Sequence, residues 1–69
     1  MRLYEVTADY RPANPNKPKY YVVADNKKDA KAKFSAVISW LKIYAVELVN
    51  EEFADYIISK PEKYIVIGD

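Results

Sequence analysis

The side chains that carry most enzymatic chemistry are missing from this chain of 69 residues, which contains no histidine and no cysteine. Cysteine nucleophiles, imidazole bases, Ser-His-Asp arrangements, disulfides and Cys or His zinc sites are thereby excluded. Glu5 and Asp9 share the polar face of a predicted strand and can form a carboxylate pair, but no base, nucleophile or shaped cleft accompanies them. We therefore predict a protein that is not an enzyme.

A cluster of carboxylates in the second half of the chain is the one candidate for a metal site. It consists of Glu51, Glu52 and Asp55. Mg²⁺ and Ca²⁺ prefer clustered oxygen ligands, but Glu51 and Glu52 project about 100° apart on a helix. They directly follow Asn50, where acidic side chains interact favourably with the positive end of the helix dipole. We interpret them as helix-capping residues and predict neither a metal nor a cofactor.

Tyrosine is the most unusual feature of the composition, with seven tyrosines in the chain. Its large ring and polar hydroxyl suit surfaces that are half exposed to water. Tyr20 and Tyr21 are adjacent in a predicted strand and so point to opposite faces of the sheet. Trp40 lies about 120° from the centre of the predicted apolar stripe of a helix. The predicted partner-binding residues are Tyr20, Tyr21, Trp40 and Tyr44.

Two structural alternatives stand beside this interpretation of the aromatic residues. Tyrosine has high β-propensity, so these rings can simply fill strand positions. The helix can also end at Ser39, in which case Trp40 turns into a corner of the core.

Basic residues in and after a proline-rich loop are the candidates for nucleic-acid binding. Ammonium groups and a helix N-terminus both bind phosphate, and Tyr20 or Tyr21 can stack a base. The residues of this alternative are Arg11, Lys17, Lys19, Lys27, Lys28 and Lys31. An ordinary solvated helix face also explains the lysines, because Lys28 and Lys31 flank one side of the apolar stripe and Lys33 the other.

Two strands separated by a loop are predicted at the start of the chain. From Arg2 to Tyr10, side chains alternate with the period of two that a half-buried strand requires. Three of the four prolines fall in residues 11–18, and each lacks a backbone N–H and fixes its own φ, so this segment is a loop. A second strand from Tyr20 to Ala24 is expected to pair antiparallel with the first.

An amphipathic helix is predicted next, capped by Asp25 or Asn26 and extending to about Leu41. Its apolar stripe has the spacing i, i+4, i+7, i+8 and i+11. The stripe consists of Ala30, Phe34, Val37, Ile38 and Leu41. A third strand follows from Tyr44 to Val49, where β-branched and aromatic residues are enriched.

A short second helix and a last strand complete the predicted order ββαβαβ. Asn50 caps this helix and Pro61 ends it. Its apolar stripe consists of Phe53, Tyr56 and Ile57. From Lys63 to Ile67, apolar residues on both faces predict a strand that is central or covered on both sides. The expected fold is one α+β domain over residues 1–69, with a small, mainly antiparallel four-stranded sheet, one long amphipathic helix and one short helix.

Charge is nearly balanced overall but divided along the chain. The net charge of +1 is too small for the long-range field of a dedicated nucleic-acid binder. Residues 1–42 carry nine basic and four acidic side chains, and residues 43–69 carry two and six. This division fits two surfaces with different partners, head-to-tail association, or pairing of the two halves on folding. Without an apolar run of about 18 residues or a signal-peptide pattern, we expect no membrane association and a cytoplasmic protein.

The segment Ala-Asp-Asn-Lys-Lys-Asp-Ala leads from the second predicted strand into the helix. This strand-loop-strand-helix opening resembles the layout of many small open reading frames in bacteriophage genomes, and the resemblance implies a viral accessory protein. We expect a small protein-protein interaction module that binds or inhibits a host factor; the alternative is a small DNA- or RNA-binding protein. Apolar residues on both sheet faces further predict a two-fold homodimer, unless the second helix and the loop cover the face that the long helix leaves open.

Overall fold

Six elements form within residues 2–15, 17–60 and 62–68, the ranges that this computed structural model describes. In chain order they are β1 (Arg2–Asp9), β2 (Lys19–Ala24), α1 (Lys27–Val37), β3 (Lys42–Leu48), α2 (Glu51–Ile58) and β4 (Val66–Ile67). The α+β class and the order ββαβαβ predicted from the sequence are confirmed.

The strands form one mixed sheet in the order β3-β1-β2-β4. β1 is central because it pairs antiparallel with both β2 and β3. β4 lies parallel to β2 at an edge and contributes only Val66 and Ile67. The fourth strand is therefore not central, but its two residues are covered on opposite faces, since Ile67 packs in one core and Val66 against the other.

A β-bulge interrupts β3 at Tyr44. Ala45 aligns with Thr7 of β1, and Ile43 aligns with Ala8, so Tyr44 has no partner in register. A bulge adds one residue to one strand and changes which face the residues beyond it occupy. No glycine or proline lies in β3, so the sequence carries no local signal for this irregularity.

α1 covers one face of the sheet and forms the larger core. Ala30 and Phe34 are both 0% exposed. They pack against the side chains of β1 and β2 that alternate toward this face, which are Tyr4, Val6, Ala8, Val22 and Ala24. The ring of Phe34 also lies 5.3 Å from that of Tyr20, measured between centroids.

α1 ends one turn earlier than its apolar stripe predicts. The backbone N–H of Ile38 donates to the carbonyl of Phe34 at 2.8 Å, and the backbone of Ile38 has already left the helical conformation. Ile38 and Leu41 still pack against the core from the connecting turn. Val37 is 59% exposed, so its assignment to the stripe is wrong.

α2 covers part of the opposite face, over a smaller core. Ile57 is 0% exposed and packs with Leu3, Tyr21 and Val23. Ala54 is the other residue of α2 that packs against this core. Phe53 and Tyr56, predicted to share the buried stripe with Ile57, are 43% and 44% exposed, so the predicted stripe is wrong for both. The helix is rotated so that the small Ala54 faces the sheet instead.

Both helices begin at asparagines, and of the two predicted N-cap candidates for α1, Asp25 and Asn26, the cap is Asn26. The side chain of Asn26 accepts a hydrogen bond from the backbone N–H of Asp29, and that of Asn50 accepts one from Phe53, each at 2.8 Å. α2 ends at Ile58. The predicted role of Pro61 in ending it lies outside the described residues.

Candidate interaction surface

An apolar groove of about 900 Å³ lies between α2 and the sheet. Leu3, Val23 and Val66 line it from three strands, and Ala54 and Ile58 line it from α2. The groove exists because α2 is short. At 1.5 Å per residue its eight residues extend about 12 Å, whereas the eight residues of β1 extend about 27 Å.

The borders of the groove combine large apolar side chains with charges. Ile58 lines it and is 53% exposed, so apolar area remains open to water. Glu51 and Asp55 line it from α2, and Arg2 lines it from the start of β1. An apolar centre with a charged rim is the usual composition of a protein-protein contact surface.

A run of four aromatic rings connects the second core to the surface of α2. Tyr21 meets Tyr64 edge to face at 5.5 Å, and Tyr64 meets Tyr56 at 6.3 Å. Tyr56 stacks on Phe53 at 6.3 Å with an interplanar angle of 10°. The contacts between these rings hold the exposed Phe53 and Tyr56 in defined positions. Tyr64 also lines the groove, so the run of rings lies beside it.

Two of the four predicted partner-binding residues are used inside the fold. Tyr21 is 6% exposed, and its hydroxyl donates to Oε2 of Glu5 at 3.3 Å. Burial, together with the nearby Glu5 carboxylate, raises the pKa of Tyr21. Tyr20 is partly buried against Phe34. Both rings fill strand positions, as the alternative based on β-propensity expects.

The other two predicted residues are accessible but lie apart from the groove. Trp40 is 71% exposed in the turn after α1, so its placement in a corner of the core is wrong. Tyr44 is partly buried at the bulge, with the Nζ atoms of Lys17 and Lys42 at 4.6 Å and 5.5 Å from its ring centroid. Neither residue is among those that line the groove.

The basic residues of the nucleic-acid alternative differ in the contacts that they make within the fold. Lys19 Nζ donates to Oε1 of Glu5 at 2.9 Å, and this bond and the Glu5 charge raise the pKa of Lys19. Lys17 Nζ donates to the carbonyl of Asn14 at 2.9 Å. The remaining lysines on the first turns of α1 are exposed and form no ion pair within the described residues. They are Lys27, Lys28 and Lys31.

Asp9 and Arg11 organise the loop that follows β1. Asp9 is 2% exposed and accepts hydrogen bonds from the side-chain amide of Asn14 and, at 3.1 Å, from the backbone N–H of Arg11. The guanidinium Nε of Arg11 lies 3.6 Å from the same carboxylate. The bond from Asn14 is the largest influence that lowers the pKa of Asp9, and the amides of Arg11 and Tyr10 add to it. Asp9 therefore anchors this loop. Among the described residues, no cluster of acidic side chains is arranged to hold a metal ion.

The groove and the exposed face of α2 are not predicted from the sequence. The spacing i, i+3 and i+4 of Phe53, Tyr56 and Ile57 predicts that all three are buried. The alternative stripe of Ala54 and Ile57 has the same helical spacing and is the one that packs. Glu5 and Thr7 are polar and lie on the same sheet face as Leu3. This pattern indicates that α2 needs to cover only the end of that face where Leu3 lies.

Within the described residues, no helix has the length and apolar character that crossing a bilayer requires. Comparison of the chain with protein-family models, with curated proteins and with solved structures finds no match.

Proposed function

We propose that this chain is a non-enzymatic protein-binding module and that the groove beside α2 receives an apolar segment of a partner protein. The observation that carries the proposal is the groove itself, about 900 Å³ of apolar-lined space on a chain of 69 residues. Ile58 leaves apolar area exposed at its border. Burial of such area is the dominant favourable contribution to protein association.

The two carboxylates on α2 favour a partner segment that carries lysine or arginine beside its apolar residues. Glu51 and Asp55 are exposed on α2 and line the groove. Within the described residues neither carboxylate forms an ion pair, so both are available to a basic side chain. Charge complementarity of this kind gives an interface its orientation and association rate more than its affinity.

Phe53 and Tyr56 extend the contact surface along α2. Their stacked rings are held by Tyr64 and present large, rigid, half-exposed area next to the groove. Aromatic residues that are already ordered lose little conformational entropy on binding, which is why they are enriched among the residues that dominate binding energy.

We further propose that the chain is an accessory protein of the bacteriophage type, acting in the cytoplasm on a host protein. The support is the strand-loop-strand-helix opening of the sequence, now located in β1, β2 and α1, together with an accessible binding surface and no histidine or cysteine for catalysis. A homodimer is part of the same proposal.

The test is capture of partners from a cell lysate by the tagged chain and by two matched variants. Ile58→Arg places a charge at the groove, whereas Val37→Arg places the same charge at a residue of α1 with similar exposure, 59% against 53%. We expect a stoichiometric protein captured by the native chain and by Val37→Arg, with capture by Ile58→Arg reduced at least tenfold. Equal capture by both variants, or capture of nucleic acid alone, contradicts the proposal.

The nucleic-acid alternative depends on Lys27, Lys28 and Lys31, which are the exposed cations of its set on α1. Asp25 and Asp29 lie among them and reduce the local positive potential. Labelled oligonucleotides titrated at about 50 mM salt, where phosphate contacts are strongest, test it directly. Binding that is lost when the three lysines are replaced by alanine would support this alternative, and the absence of binding would eliminate it.

A further inference from the structure

β3 is an edge strand with backbone groups that point away from the sheet. Among the described residues, β1 is its only neighbouring strand. The N–H of Val49 donates to the carbonyl of Leu3 at 2.9 Å, and the register continues with Leu48 beside Tyr4. Since hydrogen bonding alternates along an antiparallel strand, the N–H and C=O groups of Val46 and Leu48 face outward. Unpaired groups of this kind are a template for another strand.

The bulge at Tyr44 makes this edge self-complementary. Counted along the partner strand β1, Lys42 lies two residues from Ala45 in one direction, and Glu47 lies two residues from it in the other. The bulge absorbs one residue between Lys42 and Ala45, so Lys42 and Glu47 occupy the same face of the sheet. In a regular strand, five residues of separation would place them on opposite faces.

We propose that two copies of this chain pair through β3, antiparallel, with a two-fold axis at Ala45. Lys42 of each copy then lies directly opposite Glu47 of the other copy. Ile43 lies opposite Val46 of the other copy on the face that α1 covers. Opposite charges at directly facing positions stabilise a strand pair, and the two-fold axis makes this contact occur twice.

A second copy fits this edge better than an unrelated strand because the charges at its two ends are opposite. Lys17 and Lys42 both lie beside the ring of Tyr44 at one end. Glu47 lies toward the other end, beside the acidic first turn of α2. Antiparallel self-pairing brings unlike ends together, while a parallel arrangement would bring like ends together. The small, exposed side chain of Ala45 permits close approach at the axis.

Cysteine crosslinking tests the position of the axis, and the native chain contains no cysteine to interfere. Ala45 has its backbone groups directed toward β1, so two copies of Ala45 form a non-hydrogen-bonded pair with Cα atoms about 4.5 Å apart, close enough for a disulfide. We expect mild oxidation of Ala45→Cys to give a covalent dimer. The control is Ala36→Cys, exposed on α1. Crosslinking of both variants at the same rate contradicts the proposal.

Charge exchange tests the register, with sedimentation equilibrium from about 10 μM to about 1 mM protein as the measurement. We expect Glu47→Lys to weaken dimerisation about tenfold, because two attractive pairs become repulsive, and Lys42→Glu combined with Glu47→Lys to restore it. Glu62→Lys makes the same charge change at an exposed residue outside β3 and should leave the dimer intact. A native chain that stays monomeric throughout, or a double variant that fails to recover, overturns the proposal.

Leu48 borders both the groove and the strand edge, whereas Ile58 lies on α2 and borders the groove alone. Ile58→Arg should therefore leave the monomer-dimer equilibrium unchanged while it reduces partner capture at least tenfold. Loss of dimerisation in Ile58→Arg would overturn pairing through β3, whereas partner capture that survives in this variant would overturn the groove proposal alone.

Discussion

The two faces of the sheet are covered in different ways. On the face toward α1, nine buried residues form one core, and four partly buried residues around it close the edges. On the face toward α2, the described residues form a smaller core of four buried and four partly buried side chains, and the groove lies directly beside it. The helix on the first face has 11 residues and that on the second has eight.

The difference leaves apolar surface exposed on one face of a small domain. A chain of this size buries only about 60% of the surface that its unfolded form exposes, so it cannot close both faces completely. Here the complete core supports the sheet, and the incomplete one leaves apolar surface available. Substitutions in each core measure how much each one contributes to stability.

The largest loss of stability is expected for Phe34→Ala, in the centre of the larger core. Phe34 is 0% exposed and contacts the ring of Tyr20. Removing the ring leaves a cavity that surrounding strands cannot fill, so the free energy of unfolding should fall by about 3 to 5 kcal/mol. Urea denaturation measures it, and a loss below about 1 kcal/mol would show that the α1 core is not the main source of stability.

A smaller loss is expected for Ile57→Ala, in the core beneath α2. Ile57 is also 0% exposed, but it lies in the four-residue core beside the groove, where α2 can move to close a cavity. We expect a loss of about 2 kcal/mol in the same assay, at the lower end for such substitutions. Ile58→Ala is the control and should change stability by less than about 0.5 kcal/mol because Ile58 is exposed. A loss for Ile57→Ala equal to that for Phe34→Ala would erase the distinction between the faces.

Acid should weaken the loop after β1 before it affects either core. The pKa of Asp9 in the folded protein is lowered below its ordinary value of 3.8. Its ionised form is therefore favoured by folding, so the contribution is complete above pH 3.8 and is lost as the pH falls toward the folded pKa. Comparing the pH dependence of unfolding for the native chain and Asp9→Asn measures this effect. The gap between the two curves should narrow below pH 3.8, and a gap independent of pH would contradict the assignment.

The smallest effect is expected for Trp40→Ala. Trp40 is 71% exposed and contacts neither core, so stability should change by less than about 0.5 kcal/mol. Trp40 is the only tryptophan in the chain, so the emission maximum of the native protein should match that of tryptophan in water. A blue-shifted maximum would show that this ring is covered.

The sequence predicts the elements well because each one carries its own periodicity. Several local signals are confirmed. They are the alternation in β1, the spacing of Ala30 and Phe34 in α1, and the caps Asn26 and Asn50. The rotation of α2 is different, because two stripes with the same spacing compete and only packing on the sheet selects one.

Features that depend on how elements meet were not predictable from local patterns. The bulge at Tyr44 appears only when β3 is aligned with β1. The groove depends on the length of α2 relative to the strands that it crosses. The roles of Tyr20 and Tyr21 depend on which helix covers which face, a property of the assembled sheet.

The central claim is that the groove beside α2 is where a partner protein binds. Site-specific photocrosslinking in cells tests it most directly, with a benzophenone amino acid in place of Ile58 and, as the control, in place of Val37. We expect one discrete crosslinked protein from position 58, formed in proportion to the captured partner, and none from position 37. Crosslinks of equal yield from both positions, or none from position 58 while the partner is still captured, would contradict it.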